Sequence, residues 1–334
     1  MNIAVSLAVS GLGVALWHLL SLPLPWLLGP MFGCLVAALL GVKLAAWKPL
    51  GDAMRTILGL AVGLSITPAL FGQLPALAGS ILIIPVFVLV IGLVGVPYFR
   101  ALGFDKVTAY YGAMPGGLQD MLVFGEEAGG DVRSMSLMQA TRVLVIVSAL
   151  PFLLLLTMGV SLDQPIGIPI ADLPAWELLS MVAVAIIGWR LFLFLGIFGA
   201  SILGPMALAA AFSLSGVLTH RPPEEAILAA QFFIGLGVGV KYVGLTLAEL
   251  RRTVAASVGY CGVLAVLSGA VIWGVIALGL LPPLEATLAF APGGQAEMAV
   301  LALVSGGEVA VVVVHHVVRI LTVILGAPLV SRWL

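Results

Sequence analysis

The sequence predicts an all-α polytopic membrane protein of two repeats in inverted topology, each with about five transmembrane helices and one segment broken at Pro-Gly-Gly. Three observations lead there. The 334 residues are 62% hydrophobic and 9% charged, whereas soluble domains carry roughly 25% charged residues, so this chain cannot cover a water-facing surface. Met114-Pro115-Gly116-Gly117 recurs as Ala291-Pro292-Gly293-Gly294 inside a match that runs over most of the chain. Lys and Arg fall in opposite loops of the two halves, and basic residues favour the cytoplasmic side of a membrane.

The internal match is long. Ala113 to Met121 aligns with Phe290 to Met298 at an offset of 177, and the offset continues without a gap to pair Asp131 with Glu308, Gln139 with His316 and Arg142 with Arg319. Upstream, Leu28-Gly29-Pro30-Met31 matches Leu203-Gly204-Pro205-Met206, and Gly59 to Gly63 matches Gly235 to Gly239. The organisation that follows is a first repeat over residues 1–157, an external linker over 158–175 and a second repeat over 176–334. A span needs roughly 20 apolar residues. Hydropathy places spans at 2–21, 24–42, 56–72, 79–98 and 132–157, then at 176–197, 200–218, 225–246, 254–280 and 309–330. The N-terminal stretch Met1 to Leu22 lacks the basic region of a signal peptide and is predicted as the first span.

In the first repeat the basic residues follow span two (Lys43, Lys48, Arg55) and span four (Arg100, Lys106), while the predicted loop from Phe71 to Gly79 has none. In the second repeat Arg251-Arg252 follow span three, and the loop Leu281 to Glu285 after span four is free of Lys and Arg. Opposite orientations need an odd number of crossings per repeat. Five spans supply it if the Pro-Gly-Gly segments, near 104–128 and 284–305, enter and leave on one side. Both termini, including Arg332, then lie in the cytoplasm of a bacterial inner membrane protein.

Composition also excludes. A net charge of −1 and no basic patch give no reason to invoke nucleic acid. Cys34 and Cys261 lie in apolar stretches and read as small buried hydrophobes, with no disulfide framework and no zinc spacing. No cofactor and no metal is called for. The expected partners are the lipid bilayer, a small solute, Na+ or H+, and a second copy of the chain in a homo-oligomer.

Candidate binding residues collect at the breaks. Non-helical backbone at membrane depth has to be buried in protein or line a wet cavity, and matching interrupted segments in two halves point to a transporter's site. Pro115, Gly116 and Gly117, with Pro292, Gly293 and Gly294, are such interruptions; proline lacks an N–H, and glycines admit dihedrals that other residues avoid. The plain alternative is a pair of kinks or tight turns. Asp120 and Glu297 follow at equivalent positions. At membrane depth they could hold a proton or sodium ion, with Gln119 and Gln295 as neutral oxygen ligands; at a hairpin mouth they would sit in water or cap a helix. Arg142 and Arg319 lie in apolar runs, with Gln139 one turn before the first and His315-His316 before the second, and Asp131 and Glu308 on the same faces. Each arginine could clamp a carboxylate or phosphate, balance Asp120 or Glu297, or snorkel to the interface.

At these motifs the chain resembles the duplicated AbrB family of bacterial membrane proteins. The paired Pro-Gly-Gly-x-x-[Asp/Glu]-Met elements, His-His-x-x-Arg of the second repeat and the two Leu-Gly-Pro-Met elements carry the resemblance, which covers essentially the whole chain. The family is distinct from the small soluble DNA-binding regulators also called AbrB; its name implies a part in regulating expression. This sequence departs from the pattern in the first repeat, with Asp120 where the family has glutamate and Met138-Gln139 opposite His315-His316. Some members are labelled ammonia monooxygenase. A copper site wants several imidazoles at chelating spacing, and the four histidines here, His18, His220 and the adjacent His315-His316, do not provide one. The residues therefore point away from an enzyme. They point to a secondary transporter of a small anionic or polar solute, coupled to protons or sodium. The alternative is a membrane sensor that affects gene expression through a partner, without transport.

Overall fold

A computed structural model describes residues 2–197 and 199–331, with backbone alone at 69–74, 118–119, 327–329 and 331. Among the described residues the chain is helical, without strands. The helices are α1 (Ile3–Leu19), α2 (Pro25–Leu39), α3 (Lys48–Gly63), α4 (Pro68–Ala101), α5 (Lys106–Ala113), α6 (Leu118–Glu127), α7 (Val132–Met158), α8 (Ala175–Phe194), α9 (Ala200–Leu214), α10 (Glu224–Gly239), α11 (Leu247–Ala277), α12 (Pro283–Phe290), α13 (Gln295–Ser305) and α14 (Val309–Ser331). Among the described residues, six segments are long and apolar enough to cross a membrane: Pro75–Ala101, α7, α8, Glu224–Tyr242, α11 and Val309–Gly326. These are the helices of a polytopic membrane protein.

Several predicted boundaries move. α3 begins at Lys48 and ends at Gly63, so it is neither the 56–72 span nor among the six long apolar segments. Residues 71–79, expected to form a loop, are helical within α4, which starts at Pro68. Proline suits a first helical position because its missing N–H is an orphan there anyway, and hydropathy cannot register that signal. α1, α2 and α9 have 17, 15 and 15 residues, shorter than predicted. Gly41 (φ 82°) and Gly216 (φ 72°) stop α2 and α9 with left-handed residues just past their ends. Arg332 lies outside the described residues.

The chain forms two compact units, each assembled from both halves of the sequence. One comprises residues 1–74, 151–244 and 299–311, the other 75–150, 245–298 and 312–334. In the first unit, glycines set the helix contacts. Gly13 of α1 lies on the backbone of Gly29 in α2, and Gly33 on Val9, so α1 and α2 run antiparallel. Gly188 of α8 meets Gly204 of α9 in the same way. Gly29 and Gly204 belong to the two Leu-Gly-Pro-Met elements, whose glycine therefore admits a neighbouring backbone; their prolines, Pro30 and Pro205, are inside the helices.

The other glycine motifs pack across the halves. Gly59 and Gly63 of α3 face the carbonyls of Ile202 and Met206 in α9, while Gly235 and Gly239 of α10 face those of Leu27 and Met31 in α2. Both pairs are parallel and use aligned positions of the internal match, with the partners exchanged.

In the second unit α4 and α11 run antiparallel. Gly79 near the start of α4 faces the side chain of Leu280 just beyond α11, Gly95 faces Tyr260, and Tyr98 donates its hydroxyl to the Ala256 carbonyl at 2.9 Å. Phe99 packs on Tyr260 with ring centroids 4.8 Å apart, and Phe87 on Phe290 at 5.9 Å.

A Cβ at Gly63 or Gly239 would meet a backbone carbonyl, and forced overpacking costs roughly 1–3 kcal/mol. Gly63→Ala and Gly239→Ala should each lower the thermal midpoint of the detergent-purified protein. Gly237→Ala, with open space around its Cβ, should leave it unchanged. Equal midpoints in all three would show that these contacts do not hold the helices.

Candidate functional site

All the described site residues singled out in the sequence lie in the second unit. Two broken helices form its centre. α5 ends at Ala113 because Met114, preceding Pro115, is extended at φ −66° and ψ 133°; Ala291, preceding Pro292, ends α12 with φ −63° and ψ 128°. The clash of a proline ring with the preceding residue disfavours the helical region there. Helix resumes at Leu118 in α6 and at Gln295 in α13.

The glycines of the breaks are present for space, which corrects the expectation that they supply unusual dihedrals. Gly117 has φ −64°, and Gly116, Gly293 and Gly294 likewise avoid positive φ. A Cβ on Gly116 would lie 2.9 Å from the Met121 side chain, and one on Gly293 would lie 2.7 Å from Met298. At Gly294 it would collide with the Glu297 carboxylate, which folds back over this glycine.

A helix that stops inside hydrocarbon exposes its last four carbonyls, and each needs a donor. At α5 the donors come from side chains. Gln139 Nε2 donates to the carbonyls of Tyr111 (2.8 Å) and Met114 (3.1 Å), Arg142 Nη1 donates to Met114 O at 2.9 Å, and the Tyr260 hydroxyl reaches Ala113 O at 3.3 Å. At α12 the aligned residues do the same. His316 Nε2 donates to Leu288 O at 2.9 Å, Arg319 Nη1 to Ala291 O at 2.9 Å, and Arg319 Nη2 to Gly293 O at 2.7 Å. Leu288 and Ala291 stand 177 positions after Tyr111 and Met114. Both arginines are 3% exposed, which removes the snorkelling alternative. They bind break carbonyls, and no ion pair joins Arg142 to Asp120 among the described residues.

Asp120 and Glu297 occupy the first turns of α6 and α13, each 8% exposed. A carboxylate there complements the positive end of the helix dipole, as a guanidinium at the end of α5 or α12 complements the negative end. Each break is thus flanked by an arginine and a carboxyl group of its own. The side chain of Gln119 lies outside the described residues. Asp131 is apart from Arg142: it caps α7, accepting from Ser134 Oγ at 2.6 Å and from Arg133 N at 3.0 Å.

Polar capacity is left over around the breaks. Asp120 Oδ2, Gln139 Oε1, Arg142 Nε, Gln295 Nε2, His316 Nδ1 and Arg319 Nε are buried without a hydrogen-bond partner among the described residues. Arg142 and Arg319 also lie within electrostatic reach of one another. Oxygen acceptors and N–H donors together suit a small polar or anionic ligand better than an apolar one.

Sequence reasoning passed over Tyr260, whose hydroxyl links α5 to α4 through Ala113 O and Ile91 O (3.4 Å). A tyrosine in an apolar run has to find a partner for its hydroxyl, and that signal was available. His315 meets Ser80 Oγ at 2.9 Å. His220, in the other unit, pairs with Glu177 at 3.0 Å. A separate open groove of about 520 Å³, lined by Tyr98, Leu102, Arg251, Arg252, Ala255 and Ala256, contains none of the break residues.

A family model described as "Transition state regulatory protein AbrB" matches residues 26–334. The chain belongs to the AbrB family. "Putative regulator AbrB" of Escherichia coli (strain K12) is 25% identical over 317 residues, covering 94% of this chain and 90% of that protein. "Uncharacterized protein YhjN" of Bacillus subtilis (strain 168) is 25% identical over 354 residues, covering 96% and 90%. No solved structure matches.

Arg319 donates to two break carbonyls and Arg142 to one, and a hydrogen bond to a charged group contributes roughly 1.5–3 kcal/mol. Arg319→Met should therefore lower the thermal midpoint more than Arg142→Met. The reverse order in matched melts would contradict this account of the breaks.

Proposed function

We propose that this AbrB-family protein is a secondary transporter with inverted repeats, moving a small anionic or polar solute coupled to protons or sodium and binding it at the two broken helices. The observation that carries the reading is the pair of buried breaks, each flanked by an arginine and an acid and together left with unpartnered donors and acceptors. Pro115 and Pro292 of the breaks are buried, as non-helical backbone at membrane depth has to be unless it lines a wet cavity. The unpartnered nitrogens of Arg142, Arg319 and Gln295 face the solute. The groups able to take the coupling cation are Asp120, Glu297 and His316.

Inversion has support from packing within each unit. The aligned helices α4 and α11 run antiparallel, and α2 and α9 each pack parallel to the third span of the other half. In the bacterial inner membrane, the bias of Lys and Arg puts the α4–α5 turn in the cytoplasm and the α11–α12 turn outside. The name of the Escherichia coli relative suggests a regulator that acts through a partner; that reading predicts a protein ligand and no solute.

With Cys34 and Cys261 replaced by alanine, a cysteine at Pro282 should react with an impermeant maleimide in spheroplasts, and one at Leu102 only after permeabilisation. Equal accessibility at both would exclude inversion.

Thermal unfolding against small anions and metabolites, with and without sodium and at two pH values, tests the transport reading. A ligand at a hundredfold excess over its Kd stabilises by roughly 2.7 kcal/mol, and the shift should vanish in Arg142→Ala. A well-folded protein that responds to none would favour the regulator.

A further inference from the structure

The two breaks share their hydrogen bonds but differ in chemistry at one position. Gln139 and His316 align in the internal match, and each donates Nε2–H to the aligned carbonyl, Tyr111 O or Leu288 O. Each also presents a second polar atom without a partner, Gln139 Oε1 or His316 Nδ1, and each is fully buried. A carbonyl can only accept, so the proton of neutral His316 resides on Nε2 and Nδ1 carries a lone pair. An amide in this place cannot take up a proton. An imidazole can.

We propose that His316 is the proton-coupling residue, taking up one proton on Nδ1 together with a small oxyanion seated against Arg319, while Gln139 marks the break that carries no proton. This rests on the transport reading and names its coupling ion and the residue that holds it. His316 and Arg319 are one helical turn apart on one face of α14, and Arg319 Nε has no partner. With Nδ1 protonated, the pair presents two N–H donors to one anion. Nε2–H stays on Leu288 O throughout, so the proton comes from water on the loading side and returns to water on the release side, with no other bond made or broken.

Among the described residues, Arg319 and His315 on its own helix act on His316 electrostatically, and the Leu288 carbonyl faces it from α12. A second positive charge beside Arg319 is opposed by Coulomb repulsion, and an anion between the two relieves it. Proton and anion therefore favour each other by the same factor, as linkage requires. Sodium has no such place at His316, whose protonated ring offers only donors. Asp120 and Glu297 stand in the first turns of α6 and α13, at the dipole ends of the half-helices.

The test uses the full-length protein in detergent, with lactate and sulfate as probes because both keep a fixed charge between about pH 5.5 and pH 7.5. Binding is read by thermal shift across that range, and the ring nitrogens of His316 by NMR of 15N-histidine-labelled protein with and without probe. Probe affinity in the wild type should weaken by up to about tenfold per pH unit as pH rises, the limit for one linked proton, with the His316 Nδ1 signal moving to the protonated position on probe addition. His316→Gln, which copies the first break, should fold, bind the probe and lose the pH dependence; His316→Asn serves if the longer amide impairs folding. An unchanged pH slope in these variants, or a wild-type Nδ1 that stays unprotonated with probe bound, would overturn the proton assignment alone. No stabilisation by either probe in a well-folded wild type would overturn the oxyanion site at His316 and Arg319, whereas the transport reading falls only if the wider panel of solutes also gives no shift.

Discussion

The constraint on which the second unit depends is that a helix cannot simply stop in a buried place. Its last carbonyls are cut off from water, and an unsatisfied buried group costs roughly 1–3 kcal/mol. Here Pro115 and Pro292 end two helices in buried surroundings, and the neighbouring long helices supply the missing donors. α7 provides Gln139 and Arg142, α14 provides His316 and Arg319, and α11 adds Tyr260. The polar stripe on two otherwise apolar spans follows from this: without it the breaks would be too costly to form, and without the breaks the stripe would have nothing to bind.

The first unit answers to a different constraint. Lipid gives helices little hydrophobic reason to associate, so contact has to come from close packing. Gly13 with Gly29 and Gly188 with Gly204 bring α1 onto α2 and α8 onto α9, and Gly59 and Gly235 lead the contacts of α3 on α9 and α10 on α2. α3 and α10 thus pack on α9 and α2, each from the other half of the sequence. Neither half could reproduce this arrangement alone, so the compact unit joins the two.

Much of this was legible in the sequence. Both breaks fall at Pro-Gly-Gly, and the residues that face them, Gln139, Arg142, His316 and Arg319, stand out as polar residues in apolar runs. Their role as donors to the break carbonyls was not legible, because spacing shows a polar stripe but not what it faces. The boundaries of α3 and α4 were not legible, because hydropathy averages over a window and misses a helix start at Pro68. The glycines of the breaks were assigned to dihedral freedom, whereas Met121, Met298 and the Glu297 carboxylate occupy the space a Cβ would need. Spacing along one helix puts Asp131 and Arg142 on one face, yet Asp131 serves the start of its own helix. Three turns separate them, and a short acid at a helix start meets the free N–H groups of its own first turn before anything farther away.

The choice of arginine joins stability to binding. A lysine at position 319 would bring one compact ammonium, unable to hold two carbonyls in a fixed fork. The guanidinium spans Ala291 O and Gly293 O with its two terminal nitrogens and still has Nε in reserve. The same side chain therefore closes the break and keeps a donor to spare. Loss of activity on removing such a residue would not separate the two roles, since the backbone it supports would move as well. Position 316 does separate them, because the molecule already contains the comparison: Gln139 makes the aligned bond at the other break with a side chain that cannot ionise. Two breaks alike in their hydrogen bonds and unlike in their capacity for a proton allow the structural part of the site to be held constant while its chemistry is changed.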